Sequence, residues 1–235
     1  MPQHIVAMGG GGFSMEPDNP LLDQYVLDLT GKARPKVCFM GQASAESYQY
    51  QVNFFRAFTK LGAEPSSFSL FLPVSHQWQD ELLSQDVIYV GGGNTKSMLA
   101  LWKDWGVDVV LKQALENGTV LAGISAGAIC WFEHCVSDSL LPLVVIPGLG
   151  FLKGSACPHY DGEADRRPAV HKMLEDGELP TGIALDDSAA AHFVDGEMHQ
   201  VVSSVPDAKG YHVSLKDGKA HEMPIDTVYL GKASA

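Results

Sequence analysis

The sequence predicts an α/β fold: a parallel, doubly wound sheet with an antiparallel extension at its C-terminal end. Three observations predict it. Short apolar runs alternate with helix-length amphipathic stretches over the first four-fifths of the chain. Those runs are almost continuously apolar and several end in a glycine-rich turn, as strands covered on both faces do. The last stretch instead carries short strand-like segments with Asp-Gly dipeptides among them, the signal of hairpins.

Residues 5–8 (Ile-Val-Ala-Met) form the first strand and end in Gly9-Gly10-Gly11-Gly12; a helix over 21–29 follows, closed by Gly31. Residues 36–41 are the second strand, followed by a helical pattern through Phe54, Phe55, Phe58 and Leu61. A third strand is expected over 67–72 and a fourth over 86–90, which runs into Gly91-Gly92-Gly93-Asn94-Thr95. Helices over 96–105 and 108–117 lead to a fifth strand over 120–124, with a helix starting just after Ser125. Right-handed crossovers place all the strand-to-helix turns along one edge of such a sheet. Strands over 183–185, 189–194, 199–203, 211–215 and 227–230 make the antiparallel part, with turns at Asp195-Gly196 and Asp217-Gly218. Without repeats, low-complexity segments or long linkers, residues 1–235 read as one domain.

Composition narrows the function. Of 235 residues, 46% are hydrophobic and 19% charged, a globular profile. Lys and Arg total 16 against 28 Asp and Glu, a formal net charge of −12. Such a surface repels phosphate backbones, which disfavours nucleic acid and anionic membranes as partners. No apolar run reaches the ~18 residues of a membrane span, and the N-terminus shows no basic leader or cleavage pattern. Four cysteines are too few for a disulfide framework. The expectation is a soluble, cytoplasmic protein.

The chemistry concentrates at Gly123-Ile124-Ser125-Ala126-Gly127, where a buried strand meets a helix. Gly-x-Ser-x-Gly lets the chain turn sharply and holds the serine on a strained elbow, its hydroxyl projecting at the sheet edge. The Ala126 N–H, at the start of that helix, can meet a developing oxyanion. The competing reading is a serine that only caps the helix. A nucleophile needs a base, and among nine histidines His159 stands out, just past a short apolar segment in Ala156-Cys157-Pro158-His159-Tyr160-Asp161. His134, on the helix or loop after the serine, is weaker. For the orienting acid, Asp138, Asp161, Glu163 and Asp187 compete, and each also reads as a solvated loop carboxylate or cap.

The glycines of 91–93 allow close backbone approach and offer a second oxyanion donor, and Gly9–Gly12 could likewise cradle an anion. A nucleotide loop is disfavoured: Ser14 stands where a third glycine belongs, and no Gly-Lys-Ser/Thr follows either cluster. Cys130, His134, Cys135 and His159 lack the spacing of a zinc ribbon or finger, and buried free thiols are the better reading, with no metal. Arg166-Arg167 is the one basic pair near His159, either balancing neighbouring carboxylates or forming the positive patch that an anionic substrate would need.

In order and separation, Val90-Gly91-Gly92-Gly93-Asn94-Thr95, Gly123-Ile124-Ser125-Ala126-Gly127-Ala128 and Pro158-His159 resemble the peptidase E family of serine peptidases. These are aspartyl dipeptidases, related to cyanophycinases and more remotely to class I glutamine amidotransferases. The resemblance spans nearly the whole chain. It implies a flavodoxin-like, class I glutamine amidotransferase-like sheet and a cytoplasmic, cofactor-free hydrolase that removes N-terminal aspartate from dipeptides and some short peptides. Carried over, Ser125 matches the nucleophile, His159 the base, and Gly93 and Ala126 the oxyanion donors. Asp138 is the acid expected, since it follows the serine's helix; Asp187 and Glu163 are the alternatives. Arg166 or Arg167 would receive the aspartyl carboxylate. Cys130-Trp131-Phe132 departs from the pattern and weakens the case for aspartate more than that for peptide hydrolysis.

Three other functions stay open. A cyanophycinase-like or β-aspartyl peptide hydrolase would share the serine and histidine. A glutamine amidotransferase is disfavoured, because it uses a cysteine at the elbow. A non-catalytic module that kept the pocket would bind without reacting. The edge strands of the C-terminal hairpins leave room for a homodimer.

Overall fold

The computed structural model describes residues 1–231. The first half contains β1 (His4–Met8), α1 (Gly12–Met15), α2 (Leu21–Asp28), β2 (Lys36–Met40), α3 (Tyr48–Lys60), β3 (Glu64–Phe68), α4 (Trp78–Leu83), β4 (Val87–Val90), α5 (Thr95–Trp105), α6 (Val107–Glu116) and β5 (Val120–Ile124). The second contains α7 (Ala126–Ile129), β6 (Phe132–Ser137), β7 (Val144–Pro147), β8 (Leu152–Cys157), α8 (Arg166–Glu175), β9 (Gly182–Leu185), β10 (Ala189–Val194), β11 (Glu197–Ser203), β12 (Gly210–Lys216), β13 (Lys219–Ile225) and β14 (Thr227–Tyr229).

The first five strands run parallel in the order β3-β2-β4-β5-β1, the core of a flavodoxin-like α/β fold. Alternation along each strand sends side chains to opposite faces. Ile5 and Ala7 join Ile88, Val90 and Leu121 in one apolar cluster with α5 and α6; Val6 and Met8 join Phe39, Tyr89 and Ala122 in another with α1, α2 and α3. Both faces are thus covered, which is why these strands read as unbroken apolar runs. The second cluster centres on an aromatic group: Phe54 stacks on Phe39 and Phe58 at centroid distances of 4.8 and 4.4 Å, and Phe13 packs edge-on against Tyr89 at 5.5 Å.

Beyond β1 the sheet continues through antiparallel β10 and β11 to β14, eight strands in all. The other C-terminal strands do not extend it. They form part of a second sheet of six strands, β13-β12-β9-β8-β6-β7, in which β6, β8 and β9 run parallel. Asp195-Gly196 and Asp217-Gly218 do make the hairpin turns, all four residues with positive φ. One apolar cluster runs from Ile5 and Leu121 in the first sheet to Ile146, Leu152 and Ile183 in the second. No helix among the described residues is long and apolar enough to cross a membrane.

Two local expectations are corrected. The third strand is Glu64–Phe68 instead of 67–72, because its five residues pair one for one with β2. The later apolar residues Phe71 and Leu72 lie exposed in a loop whose start is tied to Glu46 through Ser69 Oγ and Leu70 N–H. The helix after Ser125 is a single turn, and the chain re-enters strand geometry at Phe132, so His134 and Cys135 lie on β6 and not on a helix. Helices α1, α4 and α8 and strands β7, β8 and β13 stood outside the expected elements.

Candidate active site

The C-terminal ends of β1, β4 and β5 lie side by side, bringing Gly9–Gly12, Gly91–Gly93 and Ser125 to one edge. Ser125 has φ 56° and ψ −113°, a strained conformation for a residue with a side chain. Its N–H donates to Met8 O (3.0 Å), and its carbonyl accepts from Ala128 and Ile129, which starts α7. The tight turn depends on its flanking glycines: a Cβ on Gly123 would lie 2.8 Å from Val90 O, and one on Gly127 would lie 2.6 Å from Val90 C. The Ser125 hydroxyl makes no capping bond, so its place here is not that of a helix cap.

His159 follows β8 in a left-handed conformation (φ 50°), and its N–H donates to Gly9 O (3.3 Å). Ser125 and His159 are therefore anchored to successive residues of one strand end, Met8 and Gly9. The imidazole Nδ1 lies 2.6 Å from Asp187 Oδ1. An ionised carboxylate only accepts, which assigns the proton to Nδ1 and leaves Nε2 as the acceptor. Asp187 sits in the turn between β9 and β10, and its N–H donates to Asp161 Oδ1 (2.7 Å). Gly10 and Gly162 close around it. A Cβ on either would land on the Asp187 carboxylate, and one on Gly10 would also lie 3.1 Å from His159 Nδ1. The first glycine cluster thus makes room for the Asp187 carboxylate.

Asp138, the acid expected from the resemblance, is not the partner of His159. It lies just past β6, half-exposed, and its Oδ2 pairs with Arg166 Nη2 at 3.4 Å. The chain leaves the serine after one helical turn, and β6 carries Asp138 into the other sheet. Glu163 also points elsewhere: its N–H donates to His159 O (3.1 Å), while its carboxylate accepts from Arg166 Nε (2.7 Å). Of the three acids, the one touching the imidazole is Asp187.

Two N–H groups close to the serine in the chain or on the adjoining strand end have no acceptor among the described residues: Gly93, and Ala126 at the start of α7. Gly93 needs to be glycine, since its φ is 133° and a Cβ would crowd the Ala43 carbonyl and lie 2.9 Å from Ser44 N. A Cβ on Gly92 would lie 3.7 Å from Ser125 Oγ, so this strand end runs alongside the elbow serine. Tyr50, whose hydroxyl accepts from Gly92 N–H at 3.2 Å, had no signal in the sequence.

Neither arginine is free in the way an anion-binding patch would require. Arg166 is buried, and Glu163, Asp138 and the Val136 carbonyl (3.3 Å) occupy its guanidinium. Arg167 lies over the rings of Tyr160 and Tyr211, 4.5 and 4.9 Å from their centroids, and donates to Glu222 (2.5 Å). Glu222 also accepts from Tyr160 Oη (2.7 Å) and pairs with His171 Nε2 (2.9 Å). Burial opposes ionisation there, but Tyr160, His171 and Arg167 outweigh it and hold the Glu222 pKa below the usual range. Next to the histidine's partner, Asp186 is pushed up to about 6 by burial and then by the charge of Asp161. Cys130 and Cys135 are buried thiols, and burial raises Cys135 to about 12. Among the described residues, no group of three or more His, Cys, Asp or Glu side chains could hold a metal.

A serine on a strand-to-helix elbow, with a histidine bonded to a carboxylate and anchored to the same strand end of a flavodoxin-like sheet, is the arrangement of an α/β serine hydrolase. The chain belongs to peptidase family S51, whose family model matches residues 5–201, and is a serine peptidase of the peptidase E family. It is 51% identical over 229 residues to the uncharacterized peptidase YgaJ of Bacillus subtilis (strain 168), covering 97% of this chain and all of that one. Peptidase E of Haemophilus influenzae (strain ATCC 51907 / DSM 11121 / KW20 / Rd) is 24% identical over 196 residues, 77% of this chain and 86% of that one. The crystal structure of a peptidase from an acI-B1 Actinobacterium superposes with a TM-score of 0.66 at 20% identity, covering 99% of this chain and 96% of that one, and so shares the fold.

Proposed function

We propose that this chain hydrolyses short peptides through Ser125, His159 and Asp187, with Gly93 and Ala126 N–H groups as oxyanion donors. The observation that carries the reading is the 2.6 Å bond from His159 to Asp187, on a histidine anchored one residue along β1 from the anchor of the elbow serine. His159 Nε2 takes the Ser125 proton as Oγ bonds to the peptide carbonyl carbon, and the negative charge on the carbonyl oxygen falls to the two N–H groups. Collapse breaks the C–N bond, and the imidazolium gives its proton to the leaving amine. Water then adds to the acyl-serine by the same route, with its proton passing through His159 to Ser125.

The family resemblance points to dipeptides with N-terminal aspartate. The engagement of both arginines by the protein's own carboxylates favours a second reading, in which aspartate is accepted but not required. The test is amine release from Asp-Leu, Asn-Leu and Leu-Leu by the wild-type protein and Ser125→Ala. Cleavage that disappears in Ser125→Ala supports the chemistry, and the ratio between Asp-Leu and Leu-Leu decides between the readings. Cleavage that survives Ser125→Ala overturns both.

A further inference from the structure

Four consecutive N–H groups run through the turn after β4, and three of them are held. Gly91 N–H donates to Met40 O (3.0 Å) and Asn94 N–H to Ala43 O (2.7 Å). Gly92 N–H donates to the Tyr50 hydroxyl oxygen (3.2 Å). Between these, Gly93 N–H has no acceptor among the described residues. Three glycines in a row leave their peptide planes unusually free to rotate. The direction of the Gly93 N–H is therefore set by the bonds on its neighbours, and the one made by a side chain comes from Tyr50, on a helix remote in sequence.

Tyr50 is well placed to act as a clamp because it is itself immobilised. Its ring lies 5.4 Å from that of Phe13 and 5.0 Å from that of Phe39, and a Cβ on Gly91 would meet its Cε1 at 3.0 Å. Burial raises its pKa, so the hydroxyl keeps its proton and accepts from Gly92 as a neutral group. On its other side, Gly92 runs against the serine, a Cβ there lying 3.2 Å from Ser125 Cβ.

We propose that Tyr50 is a positioning residue for peptide hydrolysis: by accepting the Gly92 N–H it holds the Gly91–Gly92 peptide, and with the Gly93–Asn94 peptide held at Ala43 O it limits the rotation of the Gly92–Gly93 peptide between them, so that the Gly93 N–H points at the oxyanion. The inference rests on the peptidase reading above. Tyr50 acts through the backbone and takes no part in proton transfer.

Losing an oxyanion donor outright costs about 10²–10³ in kcat, so loosening one that stays present should cost less, about 10-fold. Tyr50→Phe keeps the ring and removes the hydroxyl. The expected result is a kcat about 10-fold lower with KM within about twofold. The rate at which a small fluorophosphonate labels Ser125 should fall by a similar factor, since charge develops on the phosphoryl oxygen in the same place. The pH profile of kcat/KM should keep its shape, because His159 and Asp187 are untouched. A kcat and labelling rate within twofold of wild type, or a loss seen in KM instead of kcat, overturns the proposal.

Amide hydrogen exchange on the wild-type protein gives a test that does not depend on the variant folding. Gly92 should exchange slowly and Gly93 fast, with Gly93 becoming protected once Ser125 is phosphonylated. Equal exchange at the two glycines before labelling overturns the clamp. Peptide cleavage independent of Ser125 overturns instead the reading on which the proposal rests.

Discussion

Replacing Asp187 by Asn tests the site most directly, because Asn keeps the shape of the side chain and inverts its hydrogen bonding. His159 Nδ1 donates to Asp187 Oδ1 over 2.6 Å, with the imidazole and carboxylate side chains 14% and 27% exposed. A charge-assisted bond of this kind contributes about 1.5–3 kcal/mol, which at about 1.36 kcal/mol per tenfold is about 10- to 150-fold in rate. Asn adds a second loss. Its amide can donate to Nδ1, which moves the imidazole proton to Nε2 and removes the base, so the total reaches about 10⁴-fold, as in other serine triads. Ala at the same position imposes only the first loss, so Asp187→Ala should be the more active of the two. Asp138→Asn and Glu163→Gln should stay within about threefold of wild type, since both carboxylates are half-exposed and directed at Arg166. The assay is kcat/KM for peptide cleavage, with the rate of fluorophosphonate labelling in parallel. If Asp187→Asn kept a tenth of the activity, or Asp138→Asn lost as much as Asp187→Ala, the assignment of the acid would be wrong.

Two further predictions concern buried charge. Asp23 lies under the first glycine loop, accepts from Tyr89 Oη (3.2 Å), and is raised from 3.8 to about 7, chiefly by burial. The folded state therefore keeps a proton that the unfolded state releases between those values. Stability falls as pH rises from about 4 to about 7, by a few kcal/mol in order of magnitude. Asp23→Asn stays neutral, so its urea midpoint should exceed that of wild type above pH 7 and converge with it near pH 4; parallel curves would sink the argument. Arg166→Ala should destabilise the fold by about 3 kcal/mol, the low end for breaking a buried ion pair, because the Glu163 and Asp138 carboxylates can return to water. It should leave the Asp-Leu to Leu-Leu ratio unchanged; a selective loss on Asp-Leu would restore Arg166 to a substrate-binding role.

What could be read from the chain and what could not divide along physical lines. Strands β1, β2, β4 and β5 are covered on both faces, so their apolar runs were visible without knowledge of their neighbours. The elbow was visible because a turn that tight admits only small residues at 123 and 127. Strand β6 was hidden: Cys130-Trp131-Phe132 prolongs the apolar run of the elbow helix without a turn signal to end it, and the register shift between Phe132 and His134 blurs its alternation. The carboxylate that meets His159 could not be ranked at all. Asp138 and Asp187 are both acids at strand ends, and what separates them is the pairing of β10 with β1, a contact between residues nearly 190 apart in the chain. Tyr50 lay beyond local reach for the same reason.

The proposed reaction would run in acidic surroundings, in a chain of net charge −12. Asp187 bonds the ring, Asp161 bonds the Asp187 N–H, and Asp186 feels Asp161 strongly enough for its pKa to rise beyond the effect of burial. These acidic groups draw the ammonium group of a free peptide N-terminus toward the rim. They oppose the oxyanion of the proposed reaction, whose charge must then be met locally by N–H dipoles held in place before the reaction begins. On the proposed mechanism, an acidic site of this kind depends more on the aim of Gly93 and Ala126 than a neutral one would. Rigid backbone on both sides of Ser125 follows as a requirement: the elbow glycines on one side, and on the other the glycine strand held by Met40, Tyr50 and Ala43.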